Sequence, residues 1–88
     1  MSDATHGAGV TIRLFARLKD IAGTGELIRE TPSGATARTV WDTLVSEFSE
    51  LAGYASSVSV AVNQEYSRMD APVAAGDEIA FLPPVSGG

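Results

Sequence analysis

Thr39-Val40-Trp41-Asp42-Thr43-Leu44-Val45-Ser46-Glu47-Phe48-Ser49-Glu50-Leu51 carries the strongest helical pattern in the chain. Val40, Leu44, Phe48 and Leu51 recur at i, i+4, i+8 and i+11, which puts them on one stripe. Asp42, Ser46, Glu47 and Glu50 mostly occupy the other side. Thr39 is the expected N-cap with Asp42 at the third helical position, a capping-box variant, and Gly53 is the expected stop. A helix of about three turns cannot bury its own stripe, so it requires a sheet to pack on.

The flanking sequence supplies that sheet. Upstream, Val10-Thr11-Ile12-Arg13-Leu14-Phe15 alternates up to Leu14 and reads as a strand with Val10, Ile12 and Leu14 inward and Phe15 turned to the opposite face. Ala16 to Ala22 makes a short helical turn stopped by Gly23 and Gly25. Glu26 to Thr31 is a weaker strand, antiparallel to the first because the connection is too short for a parallel crossover. Pro32-Ser33-Gly34 closes it. Downstream, Val58 to Val62 alternates cleanly, and Asn63-Gln64 turns tightly into Glu65-Tyr66-Ser67-Arg68. Ala75-Gly76-Asp77 is another turn before a last strand, Glu78 to Leu82, which Pro83-Pro84 ends. The order predicts an α+β fold: a mixed sheet of about five strands, β-β-α-β-β, with the main helix across one face.

Composition narrows the functional classes. The chain has 88 residues, one domain's worth, and no Cys, which excludes disulfides, thiolate metal sites and a cysteine nucleophile. Six Lys and Arg against 11 Asp and Glu give a net charge of −5. No basic stripe is available for a phosphate backbone, so no nucleic-acid partner is expected. No run approaches the ~20 apolar residues of a membrane span, and Met1 to Gly9 lacks the pattern of a secretory signal. A cytoplasmic location is therefore expected. Residues 1–9 read as a disordered extension, 10–82 as the folded domain and 83–88 as an extended tail.

The tail, Pro83-Pro84-Val85-Ser86-Gly87-Gly88, carries the most specific signal. Two prolines favour an extended exit. The last two residues lack Cβ atoms, which lets a carboxylate pass through a channel too narrow for a branched side chain. Ser86 and His6 do not suggest a placed hydrolase triad, and His6 with Asp3 does not suggest a metal site, so none is expected.

Gly76 to Gly88, with its Phe-Leu-Pro-Pro-Val-Ser-Gly-Gly ending, closely resembles the small sulfur-carrying subunits of molybdopterin synthases. Ile12 to Leu18, Val60 to Gln64, and Thr39-Val40 with Leu44 carry the same resemblance, which spans about residues 10–88. It implies a ubiquitin-like β-grasp fold. It also implies that a ubiquitin-activating-like adenylyltransferase uses ATP to adenylate the carboxylate of Gly88. A persulfide donor protein then converts the adenylate to a thiocarboxylate. The tail (Pro83, Pro84, Val85, Ser86 and Gly87) would insert into a large catalytic subunit, where the sulfur is given to cyclic pyranopterin monophosphate to build the molybdopterin dithiolene. No cofactor is expected to be bound to this chain, and the family assembles as a heterotetramer.

Partner contacts are expected at Phe15, Phe81 and Leu82, although Phe81 and Leu82, being adjacent on a strand, point to opposite faces. Trp41 is open between helix-edge packing and the docking patch. Arg13, Arg17 and Arg68 could steer an acidic partner, but as isolated charges on strands they read as solvated. The resemblance leaves two neighbouring roles open, a sulfur carrier for thiamine thiazole synthesis and a protein modifier joined through Gly88, beside an interaction domain with an inert tail.

Overall fold

A computed structural model describes residues 9–84. Val85, Ser86, Gly87 and Gly88 lie outside the described residues, as does the expected N-terminal extension except Gly9, which opens the first strand. Five strands form one sheet: β1 (Gly9–Leu14), β2 (Glu26–Glu30), β3 (Ser59–Val62), β4 (Glu65–Ser67) and β5 (Glu78–Leu82). Their order is β2-β1-β5-β3-β4. β5 lies parallel to β1 and antiparallel to β3, and the two outer pairs are antiparallel. A short helix α1 (Ala16–Ala22) follows β1, and the main helix α2 (Ala37–Glu47) runs into a 3-10 helix, Ser49–Tyr54. This is the mixed sheet and crossing helix expected of the β-grasp arrangement.

The alternation in the strands builds the core. Val10, Ile12 and Leu14 from β1, Ile79 and Phe81 from β5, and Val60 from β3 are buried, and the register pairs Leu14 and Val60 with Phe81. From the helical side come Ala37, Val40, Trp41, Leu44 and Leu51. Trp41 is thereby settled as a core residue. Its ring lies 5.0 Å from that of Phe81 at a tilted 54°, the offset geometry aromatic quadrupoles favour. Its buried Nε1 has no hydrogen-bond partner among the described residues, so its contribution is one of packing.

Helix α2 begins three residues earlier than the Thr39 cap implied. Thr36 is the N-cap: its hydroxyl accepts from the Thr39 N–H at 3.4 Å, and the Thr39 hydroxyl accepts from the Thr36 N–H at 3.1 Å. Thr39 thus plays the reciprocal partner in the box, a role a hydroxyl fills as well as the usual Glu. The free N–H groups of Ala37 and Arg38 donate to the carbonyls of Ala71 and Met69, so the loop after β4 completes the helix end. At the other end α2 stops at Glu47. The chain tightens into the 3-10 helix, which contains Gly53 and returns Leu51 to the core.

Two devices fix the periphery. The Arg29 guanidinium on β2 grips Glu47 with Nε–Oε2 at 2.8 Å and Nη2–Oε1 at 2.6 Å, tying the edge strand to the end of α2. This hydrogen-bonded pairing holds the Glu47 carboxyl below its ordinary value and raises that of Arg29. Asn63, at φ 51 in the β3–β4 turn, donates from Nδ2 to Asp77 and accepts the Glu78 N–H on Oδ1 at 2.9 Å. Asp77 also accepts the Ala74 N–H at 2.8 Å, and Gly76 takes the positive φ of 91 that this turn requires.

Phe81→Ala should lower stability by about 3–5 kcal/mol through the cavity left against Trp41, read as a fall in the urea midpoint. Glu47→Gln should cost about 1 kcal/mol at neutral pH, at the upper end for a partly exposed pair. Because Glu47 is depressed in the folded state, its contribution is present above the ordinary value of 4.5 and is lost as pH falls through the lower folded value. Melting curves of parent and variant should therefore converge in acid. A gap that persists there would show that the pair's charge is not its source.

Candidate functional site

Strand β5 sits at the middle of the sheet, so the tail leaves from the centre of the molecule. Leu82 pairs with Ser59 at the start of β3, and Pro83 and Pro84 follow, the first half-buried and the second exposed. With no N–H, neither proline can extend the ladder, so the chain is released from the sheet at a defined point. The residues assigned to insertion and chemistry beyond Pro84, namely Val85, Ser86, Gly87 and Gly88, lie outside the described residues.

Helices cover one face of the sheet; among the described residues no helix covers the other, which is called the open face. Cross-strand partners share a face, so the register assigns residues to it. Tyr66 pairs with Ala61, Ala61 with Ala80, and Ala80 with Arg13, giving a row across four strands. Leu82 is next but one to Ala80 on β5, and Phe15 next but one to Arg13 at the end of β1. Two alanines in the middle of the row make a low floor between Tyr66 and the Arg13–Phe15 end, roughly 14 Å apart over three strand spacings. Tyr66 is 79% exposed and Phe15 38%, while Leu82 is half-buried beside the tail.

The local backbone explains the placement of Phe15. Ala16 has φ 52, a left-handed value uncommon for a residue with a Cβ, which turns the chain sharply from β1 into α1. Phe15 stands at that bend as the N-cap, with the Arg13 guanidinium 5.8 Å from its ring centre. Arg13 also meets Glu78 at 3.5 Å on the same face. Such a bend at an exposed aromatic residue is a place where backbone strain is retained by the surrounding structure.

Phe81 departs from expectation. Its place beside Leu82 implies a partner contact, but it is fully buried against Trp41. The reason is the alternation itself: Ile79 and Phe81 share the core face, leaving Ala80 and Leu82 on the open one. Tyr66 is the residue the sequence reading passed over. Its signal was present, because a two-residue turn at Asn63-Gln64 fixes Ala61 opposite Tyr66, and Ala61 lies between the inward Val60 and Val62. Among the described residues no group of three His, Cys, Asp or Glu could hold a metal ion, and no helix is long and apolar enough to cross a membrane.

Comparison with known proteins agrees with this geometry. The molybdopterin synthase sulfur carrier subunit of Arabidopsis thaliana is 39% identical over 87 residues, covering 99% of this chain and 91% of that one. The human protein of the same name is 30% identical, covering 90% and 93%. Among solved structures, SAMP1 from Haloferax volcanii is 30% identical with a TM-score of 0.78, covering 91% of this chain and 99% of that one. The putative molybdopterin converting factor subunit 1 from Pyrococcus furiosus is 28% identical with a TM-score of 0.79, covering 89% and 99%. Residues 12–88 match the ThiS family, from the first core strand through the diglycine, and the chain belongs to that family.

Proposed function

We propose that this chain is the sulfur carrier of a molybdopterin synthase and that its working group is the carboxyl of Gly88. The observation that carries the reading is the central position of β5, which roots Pro83-Pro84 in the strand paired on both sides. Two of its relatives, at 39% and 30% identity, bear the sulfur-carrier name, which favours this role over thiazole synthesis or protein modification.

The chemistry follows from the carboxylate. A carboxylate is a poor electrophile; attack of its oxygen on the α-phosphorus of ATP, with loss of pyrophosphate, makes an acyl-adenylate whose AMP is a good leaving group. The terminal sulfur of a donor persulfide attacks the carbonyl and expels AMP, giving an acyl disulfide. A thiol on the donor side then cleaves the S–S bond, releasing the thiocarboxylate and leaving the donor oxidised. Sulfur held in this way needs no side-chain thiol, in keeping with a chain that has no Cys.

Transfer takes place in a large subunit that holds the pterin. Phe15, Tyr66 and Leu82 on the open face supply the apolar contact, and the docked tail delivers its sulfur in an effectively intramolecular step. The acids and bases of the reaction belong to the partners. Once the sulfur is bonded to the pterin, water cleaves the acyl–sulfur bond, leaving the thiol on the pterin and returning the Gly88 carboxylate for another round of adenylation.

Incubation with ATP, a persulfide donor and the adenylating enzyme should raise the intact mass by one oxygen-for-sulfur exchange, localised to Gly88. An unchanged mass would reject the reading. Deletion of Gly88, or residues appended after it, should abolish pterin product formation with the melting temperature unchanged. Leu82→Arg should weaken binding to the large subunit at least tenfold, or about 1.4 kcal/mol, because the charge would face a dry contact. Its melting temperature should move little, and equal losses in both would assign Leu82 to the core.

A further inference from the structure

Among the described residues three arginines make no ion pair closer than 3.9 Å, Arg17, Arg38 and Arg68, and the last two share a groove. Arg29 is held by Glu47 and Arg13 meets Glu78. Arg38 has no side-chain hydrogen bond or ion pair among the described residues. Arg68 meets only Asp70, at 3.9 Å, with both side chains more than four-fifths exposed, a pair worth little and readily displaced. Arg38 and Arg68 flank one groove of about 480 Å³, to which Val58, Ser59 and Tyr66 also contribute. The fold brings them together: the Arg38 N–H donates to the Met69 carbonyl at 2.8 Å, so the first turn of α2 abuts the chain just after β4.

The groove lies beside the tail. Ser59 pairs with Leu82, and Val60 with Ser67. Continuing that register one residue sets Arg68 opposite Ser59, about 10 Å or two strand spacings from Leu82. Tyr66 lines the groove and also stands on the open face, so the two surfaces are continuous.

Charge selects the occupant. The chain as a whole carries −5 and suits a basic partner surface; two guanidinium groups in one groove against a single exposed carboxylate reverse that sign locally. Guanidinium forks match carboxylates in bidentate geometry.

We propose that the Arg38–Arg68 groove receives a carboxylate-bearing segment of the protein partner that docks on the open face, fixing the partner's orientation about the tail root. This rests on the proposed carrier role and adds to it a second, polar contact. The hydrophobic face supplies adhesion, and the groove supplies register.

The test has two arms. In the first, the full chain is titrated with an acetylated, amidated tetraglutamate peptide at low salt, following the side-chain Nε–H signals of its arginines by NMR. Saturable shifts confined to Arg38 and Arg68, reduced at high salt and absent in Arg38→Gln/Arg68→Gln, are expected. Shifts at Arg13 or Arg17 instead, no shifts, or equal shifts with inorganic phosphate would overturn the proposal.

In the second arm, binding to the large synthase subunit is measured for the parent, Arg38→Glu, Arg68→Glu and Arg17→Glu. Each of the first two should weaken binding about tenfold or more at unchanged melting temperature, and Arg17→Glu, outside the groove, should stay within about twofold. Parent that binds alongside groove variants of equal affinity defeats the inference alone. Parent that neither binds the large subunit nor accepts sulfur on Gly88 defeats the carrier role, while the peptide arm still judges the groove.

Discussion

The pairing of β5 between β1 and β3 is the constraint on which the rest of the molecule depends. It joins the two hairpins into one sheet and sends Ile79 and Phe81 down onto Trp41 and Leu44 while leaving Ala80 and Leu82 on the open side. It also decides where the tail begins. Had this strand been at an edge, the prolines after Leu82 would leave from a lateral, half-supported position. From the centre, Phe81 is held by ladders on both sides, to Leu14 and to Val60, one residue before Leu82 leads out of the sheet.

Much of this fold was legible in the sequence because its elements obey strong local rules. Alternation in Val10 to Leu14 named the inward residues correctly, and Gly23 ends α1 with a left-handed φ of 81, as its position implied. The open turn at Asn63-Gln64 was likewise visible. The start of α2 was misplaced because Thr36 and Thr39 are both good caps, and the choice between them was made by carbonyls of Met69 and Ala71, which lie far away in the chain. Trp41 could not be placed from its helical position alone, since only the register of β5 reveals that Phe81 waits opposite it.

The candidate site was legible in a different way. The tail announced itself through composition, but the docking surface is a property of the sheet. Phe81 and Leu82 look equivalent as neighbouring apolar residues until parity assigns one to each side. Tyr66, in a strand of three residues, offers too short a pattern to read alone and becomes meaningful only through Ala61 and Ala80. Arg68 read as an ordinary solvated charge, and nothing in the sequence ties it to Arg38, because the contact that brings the two segments together is a hydrogen bond between backbones distant in sequence.

Pairing Thr11 with Glu78 has a temporal consequence. The segment carrying β1 to β4 must be made before the middle strand can find its place, since β5 follows the other four strands in chain order and sits innermost in the sheet. A truncated or stalled product lacks the piece that closes its sheet.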